Sequence, residues 1–331
     1  MNDSSRGEEE MTHTSLSVNR ASKRLVKKLC DAAEKYGVIV KENNWGATLI
    51  DAGIEAKGGF LAGKIITEIC LGGYGKAEIS CKRFNDHELP SIFVYTDHPA
   101  IATLGSQFAG WQINVGKYFA MGSGPARALA QKPQELYEKI GYKDEADSAV
   151  LVLETSKYPT NKVIAYISEQ CKISPENLFL ILVPTASVTG STQISGRIVE
   201  TGIHKLEKLA FDPKLITYAC GYAPIVPVHP EFSQAMGRTN DAILYTGVVY
   251  CTVDYHDDEE LGKLVEKAPS SSSKSYGQPF MEIFKEANYD FYQIDPDLFA
   301  PAVLIVNNAK TGTTFRGGRI NFDIFKKSTG L

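Results

Sequence analysis

Arg197 and Glu200 stand three residues apart in a segment with a helical pattern. Residues at that spacing are neighbours on a helix surface, so a guanidinium and a carboxylate meet. The loop before them is rich in hydroxyls and glycine, with Thr185, Ser187, Thr189, Gly190, Ser191 and Thr192, and Gln193 follows. A helix N-terminus behind such residues makes a polar pocket wall. That setting suits a carboxylate that handles protons and whose acidity must be tuned. The plainer reading is an exposed pair contributing about 0.2–0.5 kcal/mol to its helix.

A second candidate is Gly122-Ser123-Gly124-Pro125-Ala126-Arg127, a glycine-rich turn entering a helix. Its free backbone N–H groups, with Arg127 on the first turn and Lys117 upstream, could hold an anion. Equally, it could be a tight turn between packed elements. The Walker A spacing is absent. A phosphate- or nucleotide-binding transferase built on this loop is the alternative function. Asp97-His98 with Ser106 invites a triad reading, but the nucleophile-elbow pattern is missing. Asp97 is better placed to cap a helix begun by Pro99, and Asp97 and His98 could line a polar pocket.

The chain has 331 residues, 43% hydrophobic and 22% charged, with a net charge of −4. It is long enough to bury a sizeable core. The charge gives no basic surplus for nucleic acid. No apolar run approaches the about 18–20 residues of a membrane span, and a signal-peptide core is missing, so a cytoplasmic protein is expected. Six cysteines lie far apart without C-x-x-C, and six histidines form no ligand pair. They read as reduced, mostly buried thiols, and no metal site is expected.

The elements that must position these groups follow from periodicity. Residues 1–11 read as a disordered extension. A helix is expected from Val18 to Tyr36, stopped by Gly37. Strands are expected at Val38–Val40, Thr48–Ile50, Ala77–Cys81, Ser91–Tyr95, Ala149–Leu153, Leu178–Val183, within Ala242–Val253, and at Ala302–Val306 and Thr314–Phe322. Helices are expected at Pro133–Ile140, Lys162–Cys171 and Gln193–Leu209, the last with Ile194, Ile198, Ile203, Leu206 and Leu209 inward. Ser270–Ser273 reads as an ordered loop. Strands and helices interleave without a βαβ rhythm, so the fold class is α+β (mixed α/β) in two domains. The first comprises residues 12–95 with about 280–331. The second, about 96–279, carries the catalytic helix.

Several segments closely resemble the methenyltetrahydromethanopterin cyclohydrolase family. They are Asp97-His98-Pro99-Ala100-Ile101, Gly105-Ser106-Gln107, Ala109-Gly110-Trp111-Gln112, Lys117 through Leu129, Ile194 through Thr201, Asn288 through Tyr292, and Asp295-Pro296 with Leu298 through Ala302. The resemblance implies a cytosolic one-carbon enzyme interconverting the 5,10-methenyl and 5-formyl forms of tetrahydromethanopterin. It also implies no metal or prosthetic group, homotrimers, and a pterin pocket between two domains. Arg197 and Glu200 match the family's catalytic pair. Some members carry a basic residue where this chain has Phe108, so that charge is absent here or falls to a group such as Lys117. Gly122, Ser123, Gly124, Arg127, Thr185, Ser187, Ser191 and Gln193, with Asp97 and His98, are the expected pocket residues.

The substrate's methenyl carbon is part of an amidinium cation and already electrophilic. Hydrolysis needs a directed water and a base, which Glu200 can supply when ionised. A positive charge about 4 Å away, at an effective dielectric near 20, favours ionisation by about 4 kcal/mol, roughly 3 pKa units. Burial opposes it by up to about 3–5 units. Arg197 is therefore expected to keep a dry Glu200 ionisable.

Overall fold

The computed structural model describes residues 16–290 and 293–331. The expected extension at residues 1–11 lies outside them. Among the described residues the strands are β1 (Ile39–Glu42), β2 (Thr48–Asp51), β3 (Gly75–Phe84), β4 (His87–Thr96), β5 (Trp111–Val115), β6 (Tyr118–Ser123), β7 (Ala149–Glu154), β8 (Leu178–Val183), β9 (Ile216–Pro224), β10 (Val248–Val253), β11 (Val303–Asn308) and β12 (Thr314–Gly318). They form two six-stranded sheets, ordered β1-β2-β8-β7-β6-β5 and β12-β11-β10-β9-β4-β3. With helices packed on both, the fold is α+β.

In the first sheet β2, β8 and β7 run parallel, with Ile50 and Val152 both opposite Ile181. Parallel strands covered on both faces are apolar throughout, and β7 and β8 fit that rule. Val150, Val152, Ile181 and Val183 pack beneath the helices Val18–Asp31 and Phe60–Cys70. Leu151, Leu153, Leu180 and Leu182 pack on the other face with Val163, Ile164 and Ile167 of the helix Asn161–Cys171. The second sheet is antiparallel except for β10 with β11. Ile198, Val199, Ile203 and Leu206 of the helix Ile198–Lys208 pack over Ile92, Val94, Val249 and Cys251.

The helix Phe60–Cys70 connects the two layers. It packs on the first sheet and, on another side, meets the helix Val188–Ser195 at glycine distance. A Cβ on Gly63 would fall 2.4 Å from Thr192 Cβ, and one on Gly196 2.6 Å from Thr67 Oγ1. Sheet membership does not follow the expected divisions at residues 95 and 279, because strands from 12–95 are shared between both sheets.

Several local expectations are corrected. The helix expected over Gln193–Leu209 is two helices, Val188–Ser195 and Ile198–Lys208, with Gly196 and Arg197 at the junction. His98, not Asp97, occupies the N-cap before Pro99, and no side chain caps that helix. The Pro99–Ala102 helix widens into a π-turn over Thr103–Gln107, closed by Phe108 N–H donating to Thr103 O at 2.9 Å. Residues 232–246 are helical before β10 begins, and the strand expected to reach Phe322 stops at Gly318, followed by a helix Phe322–Thr329. The Val18–Tyr36 helix is interrupted at Ala32, and Gly37 ends it with φ 64°. Ser270–Ser272 forms an ordered 3-10 turn. The cysteines are free, with Cys70, Cys171 and Cys251 buried and Cys81 exposed.

Candidate active site at a helix junction

Gly196 and Arg197 lie where the chain turns from one helix into the next, and Glu200 occupies the first turn of the second. That place favours a negative charge through the helix dipole. Arg197 Nη1 is 3.9 Å from Glu200 Oε2, and both side chains are about nine-tenths buried. Arg197 Nη1 donates to Gln107 O at 2.6 Å and Nη2 donates to Ser123 Oγ at 2.7 Å. Gln107 Nε2 donates in turn to Gly196 O at 3.0 Å. The π-turn and the helix junction thus grip each other through Gln107, and the guanidinium is fixed before any ligand arrives. Charged hydrogen bonds of this kind contribute about 1.5–3 kcal/mol each.

Burial pushes the Glu200 carboxyl up to about 7, with Arg197 and then Arg127 pulling it back down. Among the described residues its carboxylate accepts no hydrogen bond. The exposed-pair reading therefore does not hold. A carboxyl poised near neutrality can take and return a proton at working pH. One turn on, burial holds His204 down to about 4, with Lys208 adding to the effect, so its imidazole is neutral. Its ring lies 4.6 Å from that of Phe108.

The other expected site residues divide. Ser123 joins the cluster through Arg197. Gly122 packs so closely that a Cβ would stand 2.9 Å from Trp111 O. Gly124 has φ 98° and its N–H donates to Ser106 O at 2.9 Å. Arg127 is fully buried, its Nε donating to the main-chain carbonyl of Lys132 and its Nη1 to those of Leu104 and Ser106. The Gly122–Arg127 turn is therefore a packed structural turn rather than a phosphate cradle, which removes the transferase alternative.

Thr185 Oγ1 donates to Glu154 Oε1. Ser187 caps the Val188–Ser195 helix, accepting from Gly190 N–H at 2.9 Å and donating to Pro184 O at 2.7 Å. Ser191 donates to Val226 O at 2.9 Å. Those two hydroxyls hold the loop and helix in place. Gln193 is buried, and its Oε1 has no partner among the described residues.

Asp97 and His98 are exposed after β4, His98 packing edge-on to Tyr74 at 5.4 Å. Ser106 is buried and donates to Cys70 O at 2.6 Å, so no triad forms. Lys117 is exposed in the β5–β6 turn, six residues along β6 from Ser123 and thus about 20 Å away at strand rise. It does not join the cluster.

Gln107 was not singled out by its sequence setting, because only the π-turn aims it at Gly196. Glu154 is likewise brought in by pairing. Met121 is its partner across β6, which places it a diagonal neighbour, about 7–8 Å, from Ser123. Among the described residues no group of three or more His, Cys, Asp and Glu is placed to hold a metal ion. No helix there is long and apolar enough to cross a membrane.

The family model for cyclohydrolase (MCH) matches residues 17–329. A methenyltetrahydromethanopterin cyclohydrolase of Methanocaldococcus jannaschii is 48% identical over 95% of this chain and 98% of its own length. One from Methanothermobacter marburgensis is 47% identical over 96% and 100%, and one from Methanobrevibacter smithii 43% over 96% and 99%. A match of that extent, carried through the helix junction and the π-turn alike, places the chain in the cyclohydrolase family.

Proposed function

We propose that the chain reversibly hydrolyses 5,10-methenyltetrahydromethanopterin to the 5-formyl form, with Glu200 as general base and Arg197 keeping it ionisable. The observation that carries this reading is a buried carboxyl poised near 7 beside a guanidinium pinned by Gln107 and Ser123. In the hydrolytic direction water adds its oxygen to the amidinium carbon and gives one proton to Glu200. The carbon's bond to the other nitrogen then breaks, that leaving nitrogen takes the proton held by Glu200 and ends as N–H, and the added hydroxyl loses its proton as the formyl C=O forms, so one proton is released overall. In reverse, protonated Glu200 assists departure of water.

The methenyl carbon is electrophilic without a Lewis acid, so the reaction as drawn uses no metal or prosthetic group. Turnover is expected to survive dialysis against a chelator, and loss restored by metal would contradict that part. A cytoplasmic homotrimer is proposed on the family resemblance. Light scattering should return three times the 36.3 kDa of one chain, and a monomer would overturn it. Gln193 and Glu154 are proposed to face the pterin, with Thr185 holding Glu154.

The deciding experiment is loss of methenyl-pterin absorbance, corrected for the spontaneous rate, with Glu200→Gln. Turnover should fall about a hundred- to ten-thousandfold while KM changes little. Near-normal turnover would retire the assignment.

A further inference from the structure

We propose that Arg127 is a positioning residue for this reaction, holding the turn that presents Gln107 and Phe108 and acting as a second fixed positive charge on Glu200. The proposal deepens the reading above and rests on it for its catalytic consequence. Arg127 is 0% exposed. Its Nε donates to Lys132 O at 2.8 Å, and its Nη1 to Leu104 O at 3.2 Å and Ser106 O at 3.1 Å. Two of these carbonyls belong to the π-turn whose last residue, Gln107, grips the helix junction. The guanidinium also lies 5.2 Å from the Phe108 ring centroid and 5.5 Å from that of Tyr137. Phe108 in turn packs on His204, so contact runs unbroken from Arg127 to the face of the Glu200 helix.

A turn held through its carbonyls does not need a cation, since a neutral amide can donate as well. Burying a guanidinium with no carboxylate at its side is costly. Among the described residues Arg127 forms no ion pair, and its Nη2 is buried without a hydrogen-bond partner. The carboxylate whose charge acts on it is that of Glu200. Burial weakens the hold of Arg127 on its proton while the Tyr137 and Glu200 oxygens strengthen it, and Arg127 lowers Glu200 reciprocally. The other groups coupled to Glu200 are Arg197 and Cys70 on the helix Phe60–Cys70, whose thiol is raised by burial, while His204 one turn on is neutral.

The test reads Glu200 directly by infrared titration of its carboxyl C=O stretch, identified by subtraction of the Glu200→Gln spectrum. Arg127→Gln keeps donors and removes charge. It should raise the Glu200 midpoint by about one unit or more and shift the acid limb of the turnover profile equally, about tenfold in rate per unit below the midpoint. Arg127→Lys should restore the midpoint to within a few tenths while leaving turnover severalfold lower at every pH. A folded Arg127→Gln protein with an unmoved midpoint overturns the proposal. Should that variant not fold, Arg197→Ala decides. With Arg127 as the remaining cation, Glu200 should still titrate within about two units of its original midpoint, and a carboxyl that stays protonated up to pH 11 overturns it. The infrared midpoint stands apart from turnover, so failure of Glu200 as a base would be seen separately in the Glu200→Gln rate.

Discussion

Glu200 is held in a place that penalises its charge, and the penalty has a measurable sign. Its folded pKa of about 7 lies above the ordinary 4.5. The folded protein therefore binds that proton more tightly than the unfolded chain. The resulting stability is full below about pH 4.5 and is lost as pH rises through 7. A shift of that size corresponds to about 3 kcal/mol. Glu200→Gln should accordingly be more stable than the original above pH 7 and indistinguishable near pH 4. Denaturant melts at the two pH values check this, and equal differences at both would contradict it. For Arg197→Ala the loss of the paired cation should raise Glu200 further, so the acid limb of the turnover profile moves upward by about 1–2 units. An unmoved limb in a folded variant counts against tuning. The meeting of Arg197 and Glu200 was suggested by spacing, but their burial was not. Arg127 misled in the other direction. Its glycine-rich setting suggested a ligand, whereas its partners Leu104 and Ser106 lie more than 20 residues upstream, beyond anything local spacing encodes.

Elements do the aiming. Leu178–Val183 was legible to its ends because a strand buried on both faces is a continuous apolar run. The junction at Gly196 was not legible. Gly196 and Arg197 keep negative φ with ψ near zero (−66°, −5° and −83°, 2°), a small departure that lets the apolar period run on through Ile194, Ile198 and Ile203. The junction instead coincides with a tertiary contact, where Thr67 leaves no room for a Cβ on Gly196. The π-turn at Thr103–Gln107 is hidden similarly, since one widened turn leaves little trace in a hydrophobic pattern, though such turns often occur at functional sites. Gly63 is the matching contact on the other side of the helix pair. Gly63→Val should force the Val188–Ser195 helix away at about 1–3 kcal/mol and lower turnover with it. Calorimetry and the absorbance assay check both, and an unchanged melting temperature would show that the approach is not tight.

At the level of the whole molecule, two six-stranded sheets meet through the helix Phe60–Cys70. The class of the fold was readable from the interleaving of strands and helices. The division of β1 and β2 from β3 and β4 into separate sheets was not, because periodicity says nothing of which strand pairs with which. The Arg197 guanidinium joins groups 90 and 74 positions away along the chain. Contacts of such range require large loops to close and are slow to form. During refolding, far-ultraviolet ellipticity should therefore recover ahead of hydrolytic competence. A newly made polypeptide would remain inert until Gln107, Ser123 and the Gly196 corner have all met, and only then take on the electrostatic burden of its own carboxylate.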